Sequence, residues 1–322
     1  MERILVYHKA AIGDSVLATP VSVKLKKQFP DAKISYLTHE SLVPLLSLCP
    51  AIDEFISLEK NSGFGDLRMR INERKPQLLV DLSGSSSSFF QTLLSAGKVL
   101  RYQKKEKSMH AVDNYLETIA EICPVSDKEV FPTLFLSDSE KDRVRKMLNK
   151  DNRRLIALVP GVGLHRPHRA WPEESWLALC KHILWEKDHA LILIGGSEER
   201  TLCSRIAERV GDFCFNLAGR LNLAETAAAL SLCDATVSGD TGPAHISVAV
   251  GTPVVGLYGP TLLERSGPYG CNELSISTSE KCRCLARKNC VDAKEQPGTC
   301  MKGLPMKIVY GSLSSLFPWN RV

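Results

Sequence analysis

The sequence predicts an α/β protein made of two Rossmann-like, doubly wound halves, because short β-rich runs alternate with helical patterns twice along the chain. The first alternation fills about the first hundred residues, and the second begins at "LIALVP" (155–160). Strand patterns in the second alternation end in Gly, Pro or Asp. Ligands of open α/β sheets bind at the carboxyl ends of strands, so we expect the two domains to face each other across a cleft.

The first half contains four strand patterns. In chain order they read "RILVYH", "KISYLT", a short "EFISL" and "QLLVDLS" (Gln77–Ser83). The helical patterns "SVLATPVSVKLKKQF" and "SLVPLLSLC" separate the first three, whereas Gly84 and a serine run follow the fourth and are typical of a polar loop. Helix signals then dominate from Ala111 to about Cys123 and from Ser137 to about Asn149, where an N-cap serine precedes acidic residues.

The charged stretch "NKDNRR" marks the predicted domain boundary, because a fresh apolar strand follows it. We therefore predict an N-terminal domain over 1–151 and a C-terminal domain over 152–322, whose last helix is a candidate to pack back on the first domain. The later patterns are "LIALVPG", "PEESWLALCKHILWEK", "ALILIGG", "SEERTLCSRIAERVG", "CFNLAG", "NLAETAAALSLC", "ATVSGD" and "PVVGLYG".

The composition is that of an ordinary globular protein, with 44% hydrophobic and 24% charged residues among 322. A net charge of +5 does not require a nucleic-acid partner, and we expect none. The clusters "KLKK", "RYQKKEK" and "RVRKMLNKDNRR" could attract an anionic substrate or membrane, or be solvated helix faces. With neither a secretory signal nor a run of about 18 apolar residues, the sequence predicts a cytoplasmic protein with reduced, mostly buried cysteines.

The first motif, "HKAAIGDSVLATP", places Asp14 near a helix start after a strand that ends around His8. Gly13 would allow a tight turn there. A carboxylate at this position can be an N-cap, which satisfies free N–H groups and stabilises the helix by about 1 kcal/mol. The alternative is a general base within hydrogen-bond reach of a hydroxyl group.

The second motif, "LVPGVGLHRPHRAWPEESW", joins a strand to a Gly-x-Gly loop and then to a helix that starts around Pro172. The loop carries Gly161 and Gly163, followed by four side chains that are or can become cationic: His165, Arg166, His168 and Arg169. Glycines let a backbone approach a phosphate, and cations balance its charge. A basic surface loop is the alternative, and neither the P-loop nor the dinucleotide pattern is present.

The third motif, "SGDTGPAHISVAVGTPVVGLYGPT", turns a strand sharply into a short helix that should begin near Pro243 and end before Gly251. The backbone N–H groups of Gly242, Ala244 and His245 would then be available to an anion. Such a structure does not by itself require Asp240, Thr241 and His245. An acid beside a phosphate repels it unless the acid faces something else, such as sugar hydroxyls.

The fourth motif, "KCRCLARKNCVDAKEQPGTCMKG", holds four cysteines: Cys282, Cys284, Cys290 and Cys300. Four thiolates could bind zinc or iron as a structural metal site. Their spacing differs from the paired C-x-x-C of common zinc sites, so thiols that pack an irregular loop are the alternative.

Three blocks of this sequence resemble glycosyltransferase family 9, the bacterial lipopolysaccharide heptosyltransferases: "GDSVLATPVSVKLKKQFPDAKISYL", "PGVGLHRPHRAWPEESWLAL" and "SGDTGPAHISVAVGTPVVGLYGPT". "MHAVDNYLE", "ALILIGGSEER" and the cysteine-rich tail also look like that family. The resemblance implies a GT-B fold and an inverting, cofactor-free transfer of heptose from ADP-heptose to the lipid A-linked core oligosaccharide. It further implies a protein at the cytoplasmic face of the inner membrane, which we expect to be a monomer in peripheral contact with that surface.

The resemblance places Asp14 at the catalytic-base position and Asp240, Thr241, Gly242 and His245 on the donor-binding motif. We add Arg169 as a second catalytic residue that stabilises the leaving diphosphate, although the family usually has Lys there. Gly161 and Pro243 complete the expected donor site, and the expected acceptor contacts are Gly13, Lys104 and Lys105. The open alternatives are a nucleotide-sugar binding protein without catalysis, a family 9 enzyme with another donor or a non-lipopolysaccharide acceptor, and a metal or redox module at the cysteines.

Overall fold

A computed structural model of the chain describes the following residues: 1–59, 64–84, 97–103, 109–124, 130–148, 152–283, 285, 290 and 298–317. Internal contacts divide the chain into two compact units, Met1–Phe135 and Leu136–Val322. Within the described residues, no helix combines the length and apolarity that a membrane crossing needs.

The first unit is a five-stranded parallel sheet with helices between its strands. Its elements are β1 Arg3–Tyr7, α1 Ile12–Leu17, α2 Thr19–Gln28, β2 Lys33–His39, α3 Val43–Leu46, β3 Glu54–Leu58, α4 Phe64–Arg74, β4 Leu78–Asp81, β5 Lys98–Arg101 and α5 Ala111–Glu117. The strand order is β3-β2-β1-β4-β5, and every pairing is parallel. This is the Rossmann arrangement that the alternating patterns predict.

The second unit repeats the arrangement with six strands in the order β11-β10-β9-β6-β7-β8, again all parallel. Its first elements are α6 Asp138–Met147, β6 Arg154–Val159, α7 Glu173–Trp185, β7 His189–Leu193, α8 Arg200–Val210 and β8 Cys214–Asn216. Its later elements are α9 Leu223–Ser231, β9 Ala235–Gly239, α10 Gly242–Ala249, β10 Val254–Tyr258, α11 Leu263–Ser266, β11 Ile276–Ser277, α12 Thr299–Lys302 and α13 Met306–Ser314.

The central strands form because they are near-continuous runs of Val, Ile and Leu, as strands buried on both faces require. All five residues of β7 are buried, and so are five of the six in β6. Helix α7 packs its apolar face on this sheet and also contacts α13, whose Val309 and Leu313 belong to the same core. The last described helix therefore packs within the second unit. Its predicted contact with the first domain stays a prediction.

Two boundaries differ from the expected ones for local reasons. The helical pattern over 15–29 is divided at Ala18, since α2 starts at Thr19 with Pro20 in its first turn. Helix α6 belongs to the second unit, where it packs on α9 and Arg143 forms a 2.6 Å ion pair with Glu225. Contacts thus divide the chain after Phe135, whereas composition alone suggests a division after 151.

Each sheet has one point where the strand order reverses, and ligands of such sheets bind there at the carboxyl ends. In the first unit the reversal lies between β1 and β4, whose last residues Tyr7 and Asp81 are register partners. In the second unit it lies between β6 and β9, where Val159 pairs with Ser238. The loops that carry the second and third sequence motifs both leave the second sheet at this point.

Candidate functional site

The loop between β9 and α10 forms as the third motif predicts. Helix α10 begins at Gly242 with Thr241 as its N-cap and Pro243 in its first turn, and it ends at Ala249 ahead of Gly251 (φ +84°). The N–H of Ala244 donates to the Thr241 carbonyl at 3.2 Å, so the expectation that this amide is available to an anion is wrong. The hydroxyl of Thr241 lies 3.0 Å from that of Ser238 on the strand, which ties the turn to the sheet.

Asp240 lies between two cationic or titratable side chains. Arg169 Nη1 donates to Asp240 Oδ2 at 2.8 Å, and His245 Nε2 lies 4.0 Å from Oδ1. Only 14% of the Arg169 side chain, 13% of the Asp240 side chain and 5% of the His245 side chain are exposed. Because the pair is largely shielded from water, the attraction between its charges is stronger than for a surface ion pair. Asp240 is thereby oriented and neutralised.

Tyr258, the last residue of β10, interacts electrostatically with Asp240 and Arg169. Its side chain is fully buried, and its hydroxyl donates to the Ser266 carbonyl at 2.8 Å. Burial raises the pKa of Tyr258 well above its usual value, and the negative charge of Asp240 raises it further. Tyr258 is therefore a neutral hydrogen-bond donor at physiological pH.

The Gly-x-Gly loop after β6 runs beside the Asp240 loop, since a Cβ added to Gly239 would lie 3.7 Å from Val162 Cγ1. A Cβ on Gly161 would overlap the Cγ of Glu199, and Gly163 adopts φ +73°. The first glycine is thus required by a close side chain and the second by a left-handed turn.

Glu199 holds this loop, and sequence reasoning missed it. Its carboxylate accepts the N–H of Gly163 at 3.1 Å through Oε1 and the N–H of Gly196 at 2.7 Å through Oε2. The residue follows β7 in a short 3₁₀ turn, Ser197–Glu199. The sequence signal was available in "GGSEER", where Glu stands three residues after a glycine at capping-box spacing.

His168 is not one of the cations that the second motif offers. Its side chain is buried, and burial lowers its pKa, with Arg169 and Arg166 lowering it further. The imidazole is therefore neutral at physiological pH, which leaves Arg169 as the buried positive charge of the 3₁₀ turn Pro167–Arg169.

In the first unit, Asp14 is the third residue of α1, and its side chain is exposed. The N-cap of that helix is Ala11, so the interpretation of Asp14 as an N-cap is wrong. The expected turn at Gly13 is wrong as well, because Gly13 lies inside the helix. The helix follows β1 directly, which places Asp14 at the point of strand reversal in the first sheet.

A buried polar cluster lies at the same end of this sheet. Asp81 is fully buried and accepts the Ser83 N–H at 3.0 Å and the Ser83 hydroxyl at 2.6 Å. Burial lowers the pKa of His8 to about 4, and its ring contacts that of Tyr115 edge-on at 5.2 Å. Arg101 Nε lies 3.9 Å from Asp81 Oδ2. The cluster fixes the loops after β1, β4 and β5.

Some predicted residues cannot be placed. Lys104, Lys105 and Cys284 lie outside the described residues. Cys290 and Cys300 are buried, whereas Cys282 is half-buried and packs in the core of the second unit. Across the part of the chain that the structure describes, no three His, Cys, Asp or Glu side chains are grouped as a metal site would need. The metal hypothesis at the four cysteines stays a prediction.

The profile of Glycosyltransferase family 9 (heptosyltransferase) matches residues 87–295. Lipooligosaccharide heptosyltransferase 2 of Haemophilus ducreyi is 26% identical over 294 residues, which is 80% of this chain and 84% of that protein.

Solved structures share the fold. A glycosyltransferase family 9 protein from Veillonella parvula superposes with a TM-score of 0.82 at 21% identity, over 98% of this chain and 97% of that one. The E. coli ADP-heptose lipopolysaccharide heptosyltransferase II superposes with a TM-score of 0.78 at 20% identity, over 98% of each chain. The predicted α/β fold with two parallel sheets, of the GT-B type, is confirmed, and the chain belongs to glycosyltransferase family 9, the heptosyltransferases.

Proposed function

We propose that this enzyme transfers heptose from ADP-heptose to the inner core of lipopolysaccharide, with inversion at the anomeric carbon and without a metal ion. The observation that carries the proposal is the Arg169–Asp240 pair at the strand reversal of the second sheet. The Haemophilus ducreyi relative and the E. coli structure, both named as lipooligosaccharide or lipopolysaccharide heptosyltransferases, support this donor and acceptor.

The diphosphate of the donor is assigned to the start of α10 and to Arg169. The first N–H groups of a helix and its dipole attract an anion, and a guanidinium adds charge-assisted hydrogen bonds worth about 1.5–3 kcal/mol each. One nitrogen of Arg169 is held by Asp240, and its planar fork carries further N–H donors. These groups stabilise the charge that develops on the leaving ADP.

Asp240 is assigned to the hydroxyls of the sugar. An acid next to a diphosphate would repel it, but the 2.8 Å contact with Arg169 offsets its charge. The oxygen on the His245 side is then the one that can accept hydrogen bonds from the heptose. Glu199, in the 3₁₀ turn after β7, is assigned to the ribose, because an acid after the second strand of a Rossmann unit commonly accepts ribose hydroxyls.

Asp14 is assigned as the general base. Its exposed carboxylate takes the proton from an acceptor hydroxyl, whose oxygen forms a bond to the anomeric carbon from the face opposite the phosphate. The bond from that carbon to the phosphate oxygen breaks, and its electron pair leaves with ADP. The product has the inverted configuration at the anomeric carbon. We further propose a cytoplasmic protein that acts as a monomer at the membrane.

A mass-spectrometric screen tests the proposal. The protein is incubated with ADP-, UDP- and GDP-sugars and truncated lipopolysaccharide acceptors, and we expect one heptosyl residue to be added from ADP-heptose alone. Transfer from another nucleotide sugar, or donor binding without transfer, would overturn the assigned activity. As a matched control, Asp14→Asn should bind ADP-heptose like the wild type but turn over at least about a hundredfold more slowly. Turnover that survives in this variant would show that the base lies elsewhere.

A further inference from the structure

The first unit has an apolar groove that no part of the proposed transfer uses. It has a volume of about 520 Å³ and is lined by Val23, Pro30, Pro50, Ala51 and Phe135, with Thr133 at one side. Helix α2 contributes Val23, and the loop after it contributes Pro30. The segment that ends the unit contributes Phe135, whose N–H donates to the Leu48 carbonyl at 2.8 Å. That bond anchors the segment to the body of the unit.

The segment from 131 to 135 presents aromatic rings outward. Within this segment Pro132 and Leu134 are buried, whereas 45% of Phe131 and 64% of Phe135 are exposed. Alternate residues of this segment therefore face opposite directions, and the phenylalanines are on the outer side. Large apolar side chains held outward by a well-anchored backbone mark a surface that contacts an apolar partner.

The lip of the groove is basic. Val23, Lys26 and Lys27 of α2 are spaced as neighbours on one helix face, and both lysines line the groove. Lys26 Nζ donates to both carboxylate oxygens of Asp53, at 3.0 and 2.9 Å, whereas Lys27 is exposed. An apolar groove with a basic lip is complementary to a layer that is anionic at its surface and apolar just below it.

We propose that this groove docks the first unit on an anionic phospholipid bilayer, with Phe135 inserted at the headgroup level and Lys27 against lipid phosphates. The inference rests on the proposed function, because a lipid-linked acceptor requires an enzyme that works at a membrane surface. Aromatic rings favour the membrane interface, and each basic residue near an anionic leaflet contributes about a fivefold gain in binding.

Vesicle flotation of the full chain tests the docking surface. Vesicles of phosphatidylethanolamine and phosphatidylglycerol should bind the wild type, and vesicles of phosphatidylcholine should bind it at least about tenfold more weakly. Phe135→Ser should reduce binding about tenfold. Lys27→Glu, which removes one positive charge and adds a negative one, should reduce it about 25-fold. The matched controls are Trp185→Ser and Lys181→Glu in the second unit, where Trp185 is 84% exposed and Lys181 is also exposed; both should bind like the wild type.

Three outcomes would overturn the proposal: no binding to anionic vesicles, an equal loss in the control variants, or a chain that self-associates through the groove in sedimentation velocity. The vesicles contain no sugar acceptor, so docking is measured independently of catalysis. Phe135→Ser and Lys27→Glu should also keep wild-type transfer to a deacylated acceptor and a wild-type melting temperature. Vesicle binding in a protein that transfers no heptose would contradict only the proposed function.

Discussion

Replacement of Arg169 by methionine tests the assignment of the donor site most directly. Methionine keeps much of the side-chain length and removes the charge, so the change takes away the partner of Asp240 and the proposed contact with the diphosphate together. Arg169→Lys is the matched control, since it keeps the charge but replaces the planar fork by a point charge.

The magnitude follows from the contacts. One charge-assisted hydrogen bond to a diphosphate is worth about 1.5–3 kcal/mol, which corresponds to a loss in kcat/KM of about 10- to 150-fold. The loss should be largely in kcat, because charge on ADP grows as the sugar–phosphate bond breaks. Asp240, whose side chain is only 13% exposed, would also be left without its cation, at a cost of about 1–3 kcal/mol in stability. Arg169→Lys should stay within about tenfold of the wild type.

The assay measures ADP release from ADP-heptose with a truncated lipopolysaccharide acceptor, and a thermal melt verifies folding of each variant. Asp240→Asn in the Arg169→Met background completes a double-mutant cycle. An uncharged amide at position 240 no longer repels the diphosphate of the donor. The double variant should therefore lose less kcat/KM than the product of the two single losses. A loss below about threefold in Arg169→Met, or an equal loss in Arg169→Lys, would refute the reasoning.

Three further predictions concern the loops and the core. Gly161→Ala should raise the KM for the donor about tenfold with a smaller change in kcat, since its Cβ would displace Glu199; unchanged steady-state kinetics would contradict this. Trp171→Phe should lower the free energy of unfolding by about 1–3 kcal/mol in denaturant titrations, since it removes the buried 3.0 Å bond from Nε1 to the Leu304 carbonyl. Burial holds the pKa of His8 at about 4 in the folded protein, below its unfolded value near 6.5. Between these two pH values the unfolded state binds more protons than the folded state, so the free energy of unfolding falls as the pH falls. Between pH 7 and pH 5 this proton uptake lowers the free energy of unfolding by about 2 kcal/mol. His8→Phe should remove that pH dependence, and an unchanged pH dependence in the variant would disprove the reasoning.

The fold was predictable from the sequence because alternating apolar strands and amphipathic helices bury their apolar surfaces together in a parallel sheet that is covered by helices. Strand runs such as "LIALVP" and "ALILIGG" must be buried on both faces, and only a parallel sheet between helix layers does so. The division after Phe135, in contrast to the predicted boundary at 151, could not be derived in this way. The position of α6 depends on its contact with α9, which involves residues about eighty positions apart.

The candidate site was predictable where chemistry and spacing coincide. Asp240, Thr241 and Pro243 follow a strand within one turn, so their proximity to α10 is a local property. The spacing in "GGSEER" indicates only the local bond between Glu199 and Gly196. The contact of Glu199 with the Gly-x-Gly loop was not predictable from its neighbours, because Gly161 and Gly163 lie nearly forty residues away. Asp14 was placed correctly near a helix start, yet the capping interpretation failed because the helix begins two residues earlier.

The two sheets carry acids in different environments, and the difference separates their roles. Asp240 is 13% exposed, contacts a guanidinium at 2.8 Å and lies 4.0 Å from an imidazole, and this pairing suits the proposed hydrogen bonding to hydroxyls better than proton transfer. Asp14 is exposed at the start of a six-residue helix, where it can meet an incoming acceptor. A base must take up a proton during the reaction, and a carboxylate that is already paired with a cation does this poorly. The pairing of Asp240 with Arg169 therefore supports the proposed assignment of charge stabilisation to the second unit and of proton removal to Asp14 in the first.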